Sequence, residues 1–235
     1  DIPLQTDVFA RRIYSNSNFV WKGQGRIDLA DIVGGGNGFG TGRLNAGLDY
    51  TGRIQTLTTR TSENGPDDYI TVSASPFVDG VFVPDGTRQV RSDGGLYTFE
   101  STNGRYWLGI LNGAWHQIEL TARVPRHQLR LNGKPYGTAE APAIYMTANQ
   151  GITFDLEAMR AFTNMRLTEF TALCGLSESY ADYWEAMQAN PYFKEYPRAT
   201  FRVLVDGRVR FLYEDATYRD GGIPVRVELK PTDRF

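Results

Sequence analysis

The sharpest alternation of apolar and polar positions lies in TFRVLVDGRVRFLY, Thr200 to Tyr213. Phe201, Val203 and Val205 alternate with Arg202 and Leu204, then Val209, Phe211 and Tyr213 with Arg210 and Leu212, which predicts a β-hairpin bent at Asp206 and Gly207. A loop of those two residues alone would set Val205 opposite Arg208 and mix apolar with charged side chains on one face. Taking Arg208 into the loop pairs Val205 with Val209, Val203 with Phe211 and Phe201 with Tyr213. An odd-length turn or bulge is therefore expected, with Gly207 at positive φ. One face is then apolar and the other basic, and the apolar face requires a second layer, because a lone hairpin is only marginally stable.

The rest of the chain supplies candidates for that layer. Ile54 to Thr61 and Tyr69 to Ala74 read as strands around a turn, SENGPDD, at residues 62–68. Phe77 to Val83 reads as a short hairpin through Asp79 and Gly80, stopped by Pro84-Asp85-Gly86. Asn112-Gly113 and Asn132-Gly133 read as turns; Ile118, Leu120, Ala122 and Val124 alternate between them, as do Ile223, Val225, Val227 and Leu229 near the end, where Pro224 suggests an edge strand. Asp155 is placed to cap a short helix, Leu156 to Phe162, with Met159 on the same side as Leu156. A second helix starts at Ser177 or Ser179, carries Tyr180, Tyr183, Trp184 and Met187 at spacings of three and four, and stops before Pro191. It is expected to lie across a sheet as a lid. About ten strands with two short helices predict a mainly β protein, a β-sandwich of jelly-roll type.

Composition narrows the picture. The 235 residues, with a hydrophobic fraction of 41%, suffice for a full core in one unit. A formal charge of −2 argues against a general nucleic-acid binder. Cys174 is the one cysteine, so no internal disulfide can form, and its apolar setting TALCGL suits a buried structural thiol. No apolar run approaches the ~18 residues of a membrane span, so no membrane insertion is expected. The chain begins at Asp1 with no signal-like segment, which suits a trimmed secreted protein or an excised fragment.

Three stretches carry residues suited to chemistry. DIVGGGNGFGTGR, Asp31 to Arg43, fits neither a dinucleotide fingerprint nor a P-loop, so its glycines are read as structural. Glu63, Asn64, Asp67 and Asp68 could donate oxygens to a structural Ca²⁺, but without the spacing of a dedicated calcium loop they are read as a solvated turn; no cofactor is expected. Arg105, Tyr106, Trp107 and Trp115 form the densest aromatic cluster with polar neighbours, a surface on which a sugar ring can lie, and Asn149 is a loop donor near Tyr145. Core packing is the bland reading of the same aromatics. Catalysis has little support: His116 and His127 show no helical pairing, no Gly-x-Ser-x-Gly elbow occurs, and the chain is read as no enzyme.

The segment LNGKPYGTAEAPAIYMTANQGITFDLEAMR, Leu131 to Arg160, with the Phe201 to Tyr213 hairpin and the closing Asp233-Arg234-Phe235, resembles the NPCBM/NEW2 domain. Asp31 to Arg43 and PFVDGVFVPDG, from Pro76, resemble the variants of that domain found in large secreted bacterial proteins. The resemblance implies a galactose-binding-like sandwich over residues 30–235; residues 1–29 are read as an arm or edge strand, and the segment near 177–196 departs from the family as a helical insertion. It further implies a non-catalytic carbohydrate-binding or surface-attachment module, secreted, periplasmic or on the cell surface; a second departure is that members of the family run on through another strand where this sequence ends at Phe235. The alternative is a structural subunit or adhesion domain of an extracellular assembly, with protein neighbours as partners.

Overall fold

The computed structural model describes residues 25–56, 62–64, 68–102, 105–107, 109–113, 129–179, 181 and 197–235, and for 62–64 and 105–107 the backbone alone. Within these residues the chain is mainly β and every strand pair is antiparallel. The strands are β1 (Ala46–Leu48), β2 (Ile54–Thr56), β3 (Ser62–Asn64), β4 (Ile70–Thr71), β5 (Val78–Phe82), β6 (Thr87–Gln89), β7 (Leu96–Thr98), β8 (Arg105–Trp107) and β9 (Ile110–Asn112). They continue as β10 (Leu129–Leu131), β11 (Lys134–Tyr136), β12 (Ile144–Tyr145), β13 (Gly151–Phe154), β14 (Glu169–Cys174), β15 (Ala199–Val205), β16 (Arg208–Ala216) and β17 (Ile223–Glu228). Two α-helices whose bounds lie among the described residues accompany them, α1 (Leu29–Val33) and α2 (Leu156–Thr163), with a 3-10 turn at Tyr218–Asp220.

A four-stranded sheet, β12-β9-β1-β2, and a three-stranded sheet, β13-β5-β4, enclose the first core. Ile32 and Val33 of α1, Leu48 of β1, Val78 and Val81 of β5, Ile110 of β9, Met159 of α2 and the preceding Phe77 meet there, all buried. Burying each of the larger side chains contributes about 1.5–3 kcal/mol. Phe77 also meets Phe162 edge to face, with centroids 5.0 Å apart. The capping expected of Asp155 is present, its carboxylate accepting the Ala158 N–H at 2.8 Å, and Met159 faces inward. Helix α1 was not anticipated. Asp28 caps it, accepting from Ala30 at 2.8 Å, but five residues are too few to display a helical period.

The second core joins the strand pair β14-β17 to the hairpin β15-β16. Burial along β17 alternates perfectly, with Ile223, Val225 and Val227 inside and Pro224, Arg226 and Glu228 outside. Val203, Val205 and Phe211 meet Val225 and Val227, and Cys174 is half-buried beside them, its thiol pKa raised by burial. The hairpin's turn differs from expectation. Val205 pairs with Arg208 across a two-residue loop in which both Asp206 (φ 49°) and Gly207 (φ 76°) are left-handed. Pairings Val203↔Phe211 and Phe201↔Tyr213 are as expected, because the register shifts inside the strand. Leu204 faces Val209, so Arg210 is the extra residue of a bulge. A two-residue turn matches the strands' right-handed twist, and the bulge then restores the apolar face. On the other face, expected to be basic, the Arg202 side chain is 14% exposed and pairs with Glu100.

Three further expectations are corrected. Phe77 to Val83 is no hairpin: Asp79 and Gly80 lie inside the single strand β5. Gly80 is needed there because a Cβ would stand 2.3 Å from Cζ of Tyr69. Asn112 is a buried residue of β9, paired with both Ala46 and Ile144, where a turn was expected. Residues 62–64 form β3, paired with β8, where a solvated turn was expected. Asn132 (φ 54°) and Gly133 (φ 71°) do turn the chain between β10 and β11. The arm before residue 25, the strand from Ile118 to Val124 and the body of the expected helix from Ser177 to Asn190 lie outside the described residues.

Candidate functional site

The glycine-rich segment is built around a buried carboxylate. Asp31 accepts the N–H groups of Gly38 at 2.7 Å and Gly42 at 2.5 Å, and a Cβ at Gly36 or Gly42 would collide with Asp31 itself. Its glycines therefore permit a close approach of backbone to carboxylate, in keeping with their structural reading.

Where β1 and β9 face β5 and β13 a narrow slot opens, of about 10 Å³, room for roughly one water. Leu48, Val81, Phe82 and Ile110 give it apolar walls, with Asp49 and Gln150 beside them and Gly109 and Gly151 where backbone comes close. Asp49 is committed to its own turn: Oδ1 accepts from the Thr51 N–H at 2.8 Å, the Thr51 hydroxyl at 2.7 Å and the Arg53 N–H at 3.0 Å, and Oδ2 from the Gln55 amide at 2.8 Å. A carboxylate so engaged orders a loop and is poorly placed for acid–base work. Gln150 accepts the Thr147 N–H at 2.7 Å, closing the turn that holds Asn149 at φ 62°.

From Phe82 a run of half-buried rings leads away from the slot. Tyr69 stacks on Phe82 at 6.1 Å, Phe82 meets Phe99 at 5.9 Å, and Phe99 meets Tyr97 edge to face at 4.7 Å. The Arg202 guanidinium lies 5.9 Å from the Phe99 centroid and pairs with Glu100. At the other end the Tyr69 hydroxyl donates to Asp79 at 2.6 Å, and Asp79 also accepts the Ser92 N–H at 2.7 Å and the Ser92 hydroxyl. Burial, and then the hydrogen bond to Asp79, push the Tyr69 pKa up, so this phenol stays protonated and donating.

The six expected ligand residues divide. Tyr145 sits in β12 opposite Leu111, next to the slot residue Ile110, and Asn149 adjoins the slot residue Gln150. Arg105, Tyr106 and Trp107 form β8, opposite Asn64, Glu63 and Ser62. Trp115 lies outside the described residues, as do His116 and His127. Phe82, Phe99, Tyr97 and Gln150 were missed. Phe82 ends β5, Tyr97 lies in β7 with Phe99 just after it, and Gln150 precedes β13, so no local pattern marks these three segments as neighbours. Among the described residues no cluster of three or more His, Cys, Asp or Glu is arranged to hold a metal ion, and no helix is long and apolar enough to cross a membrane. Comparison of the chain with protein-family models, curated proteins and solved structures finds no match.

Proposed function

We propose that the chain is a non-catalytic carbohydrate-binding or surface-attachment module, a jelly-roll sandwich of the NPCBM/NEW2 kind, working in a secreted, periplasmic or cell-surface protein. The observation that carries this reading is the continuity of the Leu48–Phe82–Ile110 slot with the ring series Phe82, Phe99 and Tyr97. Apolar and aromatic surface edged by amide and carboxylate groups suits a pyranose, whose C–H face stacks while its hydroxyls hydrogen-bond. The slot itself admits about a water, so a sugar lies across its mouth, touching Gln150 and Asn149. The antiparallel, mainly β architecture and the Asp155-capped helix are in keeping with the fold that the resemblance implies.

Glycan-array binding followed by calorimetric titration tests this. Binding of at least one glycan, weakened by Asn149→Ala with Gln150→Ala, is the expected result. A chain that binds no glycan on a broad array would defeat the reading.

A further inference from the structure

We propose a second site on this chain, distinct from the slot: the open groove between β16 and β17, which takes a carboxylate of a uronic-acid polysaccharide. The groove has a volume of about 340 Å³ and is lined by Arg210, Arg226, Val227 and Glu228. Its two guanidiniums come from different strand pairs, since β16 is bonded to β15 and β17 to β14.

Arg210 reaches the groove because of the bulge. In a regular ladder Arg210 would face a residue of β15; as the extra residue it faces none, and its Nη2 donates instead to the Glu228 backbone carbonyl at 3.3 Å. Bulges of this kind commonly re-aim a side chain. Among the described residues no carboxylate lies within ion-pair distance of Arg210. On the other strand the Arg226 side chain is 80% exposed, and among the described residues only its Nε is engaged, by Glu169. That contact orients the guanidinium and leaves its terminal amines for a ligand. Two guanidinium forks across a groove suit a planar carboxylate, which can accept from both. Glu228 also lines the groove and Glu169 engages Arg226, so two carboxylates balance the two guanidiniums and the groove carries no net charge. That favours a chain with one carboxylate per sugar and hydroxyls between over a dense polyanion.

The test is calorimetric titration of the whole chain with an oligogalacturonate, a neutral oligogalactoside of equal length and a polyglutamate of equal charge. The expected result is binding of the uronate oligomer, weaker at raised salt. Arg210→Gln with Arg226→Gln should reduce it at least about tenfold, the loss of one charge-assisted contact pair. Both arginines are exposed, so these variants should keep the wild-type thermal midpoint. Uronate binding unchanged in the double variant, no uronate binding at all, or equally tight polyglutamate binding would each overturn the proposal. Failure here is separable from failure of the slot reading, because Asn149→Ala with Gln150→Ala should leave uronate binding at the groove intact.

Discussion

Asp206 and Phe235 are joined twice: the Asp206 N–H donates to the Phe235 carbonyl at 3.0 Å, and the Asp206 carboxylate accepts the Phe235 N–H at 2.9 Å. The same carboxylate oxygen takes the Arg234 N–H at 3.0 Å, while the Arg234 carbonyl accepts the N–H of Leu156 at 2.8 Å. Phe235 is buried, its ring 4.8 Å from the Arg234 guanidinium and 5.7 Å from that of Arg91. The hairpin turn of the second core is thus tied to the first turn of α2 in the first core. Asp206→Ala removes the acceptor and strains a left-handed residue, and should lower unfolding free energy by about 1–3 kcal/mol in urea titration. Asp206→Asn keeps an acceptor and tolerates that φ, so it should cost clearly less.

Asp31 should be as sensitive. It is buried and accepts two backbone N–H groups, from Gly38 and Gly42. In Asp31→Asn one oxygen becomes an NH₂ facing an N–H, leaving a buried donor unpaired at a cost of about 1–3 kcal/mol. Thermal denaturation should show the loss, with amide hydrogen exchange accelerated first at Gly38 and Gly42. Unchanged exchange at both would mean that the carboxylate does not hold the loop.

What could be read in the sequence was what local chemistry decides. The Asp155 cap, the alternation of Ile223, Val225 and Val227 and the Asn132-Gly133 turn each depend on residues a few positions apart, and each is present. Asp79-Gly80 carries the same turn signal yet lies inside β5, because the glycine answers to the Tyr69 ring, a contact set by strand pairing. The aromatic run from Tyr69 to Tyr97 was hidden for a like reason. Only the fold brings β5 beside the Tyr97–Phe99 segment, whereas the contiguous Arg105-Tyr106-Trp107 drew attention by density alone.

Gly80 offers a direct check of that tertiary constraint. A methyl group there would stand 2.3 Å from Tyr69 Cζ and 2.5 Å from its hydroxyl oxygen. Gly80→Ala should therefore displace the ring and disturb its bond to Asp79, destabilising by about 1–3 kcal/mol as overpacked sites do. Tyr69→Ala in the same chain removes the obstacle. The pair should be strongly non-additive, and additive losses would show that the ring does not dictate the glycine.

Acid sensitivity follows from three hydrogen-bonded carboxylates, Asp220, Asp85 and Glu100. Asp220 is held below the ordinary aspartate value of 3.8 by the Thr217 N–H at 2.6 Å and the Thr217 hydroxyl at 2.8 Å. Asp85 is lowered likewise, chiefly by the Thr102 N–H at 2.5 Å, and Glu100 is lowered too, by a backbone hydrogen bond first and Arg202 next. A depressed pKa means that the unfolded chain binds more protons in this window, so the stability these groups contribute is present above their unfolded values and lost as pH falls through the folded ones. Asp155 has the opposite sign. Burial raises its pKa, so its contribution is complete below 3.8 and lost as pH rises through the folded value. With three lowered carboxylates against one raised among the described residues, the thermal midpoint should fall between about pH 5 and about pH 2. Asp220→Asn and Asp85→Asn should each flatten that fall and Asp155→Asn should steepen it. A midpoint independent of pH across the window, or a steeper fall in Asp220→Asn, would contradict the assigned signs.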